Sequence, residues 1–288
     1  MTAQPRPPAV YAGLTQDELD RAYDQDHWAA NAAEIQARII TRSRDVAAQM
    51  PPHNRRYGPA DAQSVDIFAP MDAFGAPVFI LIHGGAWRLS MREAFYGPAP
   101  SITAAGCILA IVSFECLPAI SMLQMAEQIR QAILWIATEI GSFGGNTRNL
   151  HVVGHSSGAH LAAVALTSDL GAATASVRSG TFVSGLYDLE PVMLSSRRHY
   201  IDLTSDQAEA LSPIRKADNF MGVGSVWWGS DESPEFARQS QAFADALRGT
   251  GKLGKSGMLA GRNHFEMLEE FGDPNSPLIA AMIAGARR

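Results

Sequence analysis

The stretch Gly154-His155-Ser156-Ser157-Gly158 sets a serine between two glycines, after the apolar run Leu150–Val153 and before the small-residue run Ala159–Ala163. A strand that turns at once into a helix around a serine can hold its hydroxyl out as a nucleophile. The flanking glycines keep side chains out of a very tight turn, and the frame selects Ser156 over Ser157. Ser157 then opens the helix, where its amide and the helix dipole can face a developing oxyanion. The bland alternative is a glycine-lined turn without chemistry. A second segment argues against it. His83-Gly84-Gly85-Ala86-Trp87 directly follows the apolar run Val78–Ile82. Glycines there let backbone amides approach a substrate oxygen. The donors expected from the two segments are the amides of Gly85, Ala86 and Ser157, with Gly84 shaping the loop; His83 is expected to hold that loop.

The elements that must position these groups follow from hydrophobic period. Thr15-Gln-Asp-Glu18 is a capping box, with a helix expected through Tyr23. A further helix is expected over 30–49, stopped by Pro51-Pro52. Ser64–Phe68 alternates like a strand, while Val78–Ile82 and Ile108–Phe114 are continuous apolar runs that suit strands buried on both faces. Met122, Met125, Ile129, Ile133, Ile136 and Ile140 recur at helical spacing, giving a helix over 121–140. Strands are expected at Leu150–Val153, Gly180–Val183, Val223–Trp228 and Met258–Ala260. Helices are expected over 157–168, 235–248 and 275–287. Strands alternating with helices make a doubly wound, mostly parallel α/β sheet. One domain over 1–288 is expected, with an N-terminal helical arm (1–52) and a cap-like insertion (185–220). The arm reads as packing, with a lid or pocket wall as the functional alternative.

A nucleophilic serine needs a base and an acid. In α/β-hydrolases these follow the order serine, acid, histidine. His264, in Gly261-Arg-Asn-His264-Phe, follows the last strand and is the base. The acid should leave the preceding strand, which ends in Gly229-Ser-Asp231-Glu232-Ser-Pro-Glu235. Asp231 is chosen because it comes first, with Glu232 as the alternative; Glu235 falls in the next helix turn, and Asp188 reads as structural or pocket-forming. His155 should point away from the serine hydroxyl, and His160 should pack inside. The His155/His160 spacing is wrong for a helical metal pair, so no metal is expected.

These residues resemble the α/β-hydrolase superfamily and, within it, the arylformamidase-like esterases. The resemblance rests on His83-Gly-Gly-Ala-Trp87, Gly154–Ala162, Ser184-Gly-Leu-Tyr-Asp-Leu-Glu-Pro191, Ser212-Pro213, Glu235–Ser240, and Gly13-Leu-Thr with Leu19–Tyr23. It implies cofactor-free acyl transfer to water, on a small aryl formamide, amide or ester. Ala86 departs from the aromatic residue often found at that place, which would widen the acyl side. Glu115 puts a charge where relatives carry Tyr-x-Leu. Trp87 and Tyr187 are expected either as pocket walls that stack on an aromatic leaving group or as core. The competing functions are a broad carboxylesterase, a specialised amidase for aromatic or heterocyclic compounds, and a non-catalytic ligand receptor.

The 288 residues carry a net charge of −6, which argues against nucleic acid as the main partner. Hydrophobic residues make up 47% and charged ones 18%, enough for a large core. Cys107 and Cys116 read as buried free thiols. Proline breaks the first ten residues, so they do not read as a signal peptide, and no run suits a membrane span. A cytoplasmic protein is expected, with a small-molecule substrate and an arm whose apolar face could support a homodimer.

Overall fold

A computed structural model describes residues 7–287. Residues 1–6, the start of the arm expected over 1–52, lie outside the described residues. Eight strands form one sheet: β1 (His53–Arg56), β2 (Ser64–Phe68), β3 (Ala76–Ile82), β4 (Ile108–Val112), β5 (Gly145–His155), β6 (Val177–Val183), β7 (Val223–Gly229) and β8 (Leu253–Leu259). Their spatial order is β1-β2-β4-β3-β5-β6-β7-β8. β1 and β2 pair antiparallel at one edge, and the remaining six run parallel from β4 to β8.

The continuous apolar runs find their reason here. In β3, Val78, Ile80 and Ile82 enter one hydrophobic cluster, while Phe79 and Leu81 enter the cluster on the other face. In β4, Ile108, Ala110 and Val112 divide from Leu109 and Ile111 in the same way. Helices Met122–Glu139, Ser157–Leu166 and Pro234–Gly249 contribute to the first cluster. Helices Ala99–Ala104, Glu266–Gly272 and Pro277–Ala286 contribute to the second. The sheet is therefore covered on both faces, as a parallel sheet requires.

The arm begins with helix Gln16–Ala22, and both halves of the Thr15/Glu18 capping box are formed. A single turn, Gln25–Trp28, and the long helix Ala32–Gln49 follow. The short turn is an element that periodicity did not signal. Polar contacts fasten the arm beside the ends of β7 and β8. Tyr23 Oη donates to Glu235 at 3.0 Å, Ser233 Oγ donates to the Ala22 carbonyl at 2.6 Å, and Asn31 Nδ2 donates to Glu266 at 3.0 Å. Among the described residues no helix is long and apolar enough to cross a membrane. Both cysteines are free, Cys107 buried and Cys116 half-buried.

Candidate active site

Three loops at the carboxyl ends of β5, β7 and β8 converge, the place where open α/β sheets hold ligands. β5 ends at His155, and Ser156 turns the chain with φ 55° and ψ −125°. That conformation costs a non-glycine residue about 1–3 kcal/mol and persists only when its surroundings enforce it. The two glycines explain how the turn fits. A methyl group on Gly158 would stand 2.2 Å from the Ile82 carbonyl oxygen, and one on Gly154 would stand 2.4 Å from the Gly158 oxygen. Gly158→Ala is expected to destabilise the fold by about 3 kcal/mol or more through overpacking against backbone that cannot move. A thermal melt of the variant would check this; an unchanged midpoint would show that the strand–helix contact yields.

Ser156 Oγ lies 2.9 Å from His264 Nε2. His264 Nδ1 lies 3.0 Å from Oε2 of Glu232. With Nδ1–H donating to the carboxylate, Nε2 is left to accept the serine proton. Glu232 is itself fixed, because Ser184 Oγ donates to its Oε1 at 2.6 Å and the Gly229 amide donates to the same atom at 2.7 Å. Phe236 packs edge-on against the His264 ring at 4.8 Å. All three members are buried.

The expected acid, Asp231, is not the one that reaches His264. The Asp231 amide donates to the Arg262 carbonyl at 3.0 Å, and its side chain faces solvent, where it accepts from Ser230 Oγ at 2.7 Å. Gly229 passes so close to Arg262 that a methyl group there would meet the Arg262 oxygen at 2.0 Å. That close crossing uses the first two residues of the loop for backbone pairing, and the chain turns inward only at Glu232. Order off the strand was therefore a misleading guide.

On the other side of Ser156 stands the loop after β3. Gly85 has φ 126°, Ala86 52° and Trp87 61°. A methyl group on Gly84 would lie 3.2 Å from Ser156 Cβ, so the loop and the elbow are in close contact. Among the described residues no protein acceptor takes the amides of Gly85, Ala86 or Ser157. They remain as donors for an oxygen held above the serine.

The histidines divide as the sequence suggests. His155 Nε2 donates to the His264 carbonyl at 3.1 Å. His160 accepts from Trp87 Nε1 through Nδ1 at 3.1 Å and donates from Nε2 to the Leu211 carbonyl at 2.8 Å. His83 stacks on Phe114, with ring centres 4.4 Å apart, and reaches the Gly84 carbonyl through Nδ1 at 2.7 Å. Burial pushes His83 and His160 down to about 4 and His155 well below its ordinary value. The unfolded chain takes up these protons near pH 6.5, whereas in the folded protein His83 and His160 resist them until about pH 4 and His155 resists them well below its ordinary value. The stability they contribute is thus complete above pH 6.5 and is lost as pH falls toward 4. Each histidine should remove about 1.4 kcal/mol per pH unit across that window. Chemical denaturation from pH 8 to 4.5 would read it; constant stability would mean the rings protonate without unfolding.

Trp87 and Tyr187 are core residues, not pocket walls. Left-handed backbone at Trp87 turns the indole inward onto His160, and Tyr187 stacks on Phe243 with centres 4.2 Å apart. Glu115 pairs with Gln128, whose Nε2 donates to it at 2.8 Å. The arm supplies part of the cavity wall, the functional alternative to plain packing that its sequence left open, though the individual wall residues were not picked out. A cavity of about 670 Å³ opens over Ser156 and His264, bounded by Tyr23 and Gln25 of the arm, Ala86, Arg88 and Leu89 after β3, and Arg197 and Tyr200 of the insertion. The signal available was Tyr23 at the end of a capped helix, directly before a polar turn.

Known proteins resemble this chain over much of its length. The BD-FAE family model matches residues 65–178. A kynurenine formamidase of Danio rerio is 25% identical over 282 residues, 92% of this chain and 94% of its own. One from Salmo salar is 26% identical, with coverage of 90% and 92%. A structure described as a thioesterase candidate from Silicibacter sp. TM1040 superposes with a TM-score of 0.82 at 26% identity, covering 92% of this chain and 98% of that one. The carboxylesterase EstE1, cloned from a metagenomic library, shares the fold at TM-score 0.71 and 16% identity, with coverage of 90% and 99%. With an eight-stranded sheet of this order and relatives that match it almost end to end, the chain has the α/β-hydrolase fold and is similar to kynurenine formamidases and esterases.

Proposed function

We propose that this protein, a hydrolase of amide or ester bonds, cleaves a small aryl formamide, amide or ester through an acyl-enzyme on Ser156. The observation that carries the reading is the unbroken chain from Ser156 Oγ to His264 Nε2 at 2.9 Å and from His264 Nδ1 to Glu232 at 3.0 Å, mounted on a strained turn. Ser156 attacks the carbonyl carbon as His264 takes its proton, and Glu232 keeps the imidazolium oriented and neutralised. The oxyanion is received by the amides of Gly85, Ala86 and Ser157. His264 then protonates the departing amine or alcohol. Water attacks the acyl-enzyme by the same route and frees the serine. No step calls for a cofactor.

Ala86 lines the cavity and leaves room beside the acyl carbon, which favours a broader carboxylesterase as the second reading. Hydrolysis of N-formyl-L-kynurenine and p-nitrophenyl acetate, measured side by side, separates the two. The first reading expects the higher kcat/KM on the formamide. Cleavage of the ester alone would move the assignment to esters with larger acyl groups. The two unpaired cysteines support a reducing, cytoplasmic setting. The partly exposed Trp28 and Ile40 of the arm support a homodimer.

A further inference from the structure

Among the described residues, Arg197 and Arg88 of the cavity over Ser156 are in ion-pairing contact with no carboxylate. Arg197 is half-buried among three rings, its guanidinium carbon 5.8 Å from the centres of Tyr23 and Trp87 and 5.9 Å from that of Phe236. Its Nε and Nη2 donate to the Tyr23 carbonyl at 3.2 and 2.8 Å. Among the described residues Nη1 has no acceptor, and no acid stands within ion-pairing distance. Arg88 lies over the Tyr200 ring at 4.7 Å, also without an acid partner. A third wall is Gln25. Its side-chain nitrogen and oxygen are both shielded from solvent, and among the described residues neither has a hydrogen-bond partner. A buried amide with both ends unsatisfied costs stability unless a ligand bonds it.

We infer that Arg197, Arg88 and Gln25 form a subsite for a carboxylate carried by the substrate, remote from the bond that is cleaved. This rests on the serine hydrolase reading above. The guanidinium fork matches a carboxylate, and aromatic rings hold a guanidinium in place without quenching its charge. The aspartates of the same cavity narrow the ligand. Asp20 is engaged with the Ser196 amide at 2.6 Å and with Gln16 at 2.8 Å, while Asp24 and Asp26 stand exposed at the rim. Three acids near the mouth oppose a dianion such as a phosphate monoester more than they oppose a single carboxylate. Because Arg197 belongs to the insertion and Gln25 to the arm, a bound carboxylate would also bridge those two segments.

The test compares matched anionic and neutral substrates. On the leaving-group side the pair is 4-acetoxybenzoate and 4-acetoxybenzamide; on the acyl side it is mono-4-nitrophenyl succinate and 4-nitrophenyl butyrate. In at least one pair, Arg197→Gln and Arg88→Gln should each lower the anionic-to-neutral ratio of kcat/KM by about tenfold or more. Arg197→Lys should restore part of that ratio, and added salt should weaken it in the wild type. Arg88→Gln carries the same test without touching the Tyr23 carbonyl that Arg197 holds. Ratios unchanged by either variant in both pairs overturn the subsite. If hydrolysis is lost in Ser156→Ala yet shows no charge preference, the subsite alone falls. If Ser156→Ala still cleaves the esters, or if the wild type cleaves neither these four nor N-formyl-L-kynurenine, the serine hydrolase reading beneath it falls too.

Discussion

Ser156→Ala lowers kcat by about 10⁵–10⁶-fold on any substrate the wild type turns over, with KM changed only slightly. The size follows from how the site divides its work. Removing Oγ removes the hydroxyl that stands 2.9 Å from His264 Nε2, so on the proposed mechanism the base has nothing to activate. Binding groups and the amides of Gly85, Ala86 and Ser157 remain, and they can still favour attack by water. That residual is why the variant is not reduced to the uncatalysed rate. The substitution also relieves nothing in the turn, because φ 55° is set by the close passage of Gly158 beneath Ile82 and not by the hydroxyl. The folded variant should therefore be as stable as the wild type and should fail to take up a fluorophosphonate. Retention of more than about a hundredth of the activity would mean that another nucleophile acts, and Ser157 would be the first to examine.

Most of the sheet was legible because its strands are buried on both faces. Val78–Ile82 and Ile108–Val112 leave no polar alternation to confuse them with surface strands. β1 was not legible: His53–Arg56 is four exposed polar residues, and only pairing with β2 makes it a strand. Helix Glu266–Gly272 was missed for a related reason, since its start is set by Asn263, whose Oδ1 accepts from the Phe265 and Glu266 amides at 3.0 Å each. The positions of Ser156 and His264 were legible because glycine spacing and chain order are local signals. What surrounds them was not. Whether Trp87 faces a cavity or the core depends on a left-handed residue and on a histidine 73 positions away. The arm's share of the cavity wall depends on contacts such as Tyr23 with Glu235, separated by 212 positions, which no periodicity encodes.

Glu232→Gln lowers kcat by about 10⁴-fold, whereas Asp231→Asn changes it by no more than about twofold. The two residues are adjacent, so the pair separates geometry from proximity in sequence. Glu232 Oε1 receives two donors, Ser184 Oγ and the Gly229 amide, and only Oε2 faces His264. A glutamine can keep its oxygen toward those two donors only by turning its NH2 to His264 Nδ1. The imidazole must then carry its proton on Nε2, where it can no longer accept from Ser156. The serine keeps its place and loses its base. The alternative orientation, oxygen toward His264, sets the NH2 against two donors in a buried site and costs stability instead. Loss of activity with an unchanged melting temperature would identify the first arrangement; a lowered melting temperature with activity largely kept would identify the second. Asp231→Asn touches only a solvent-facing contact with Ser230, and the backbone pairing of its amide with Arg262 survives the change. Should Asp231→Asn prove the more damaging of the two, the loop after β7 must rearrange on substrate binding so that the carboxylates exchange places.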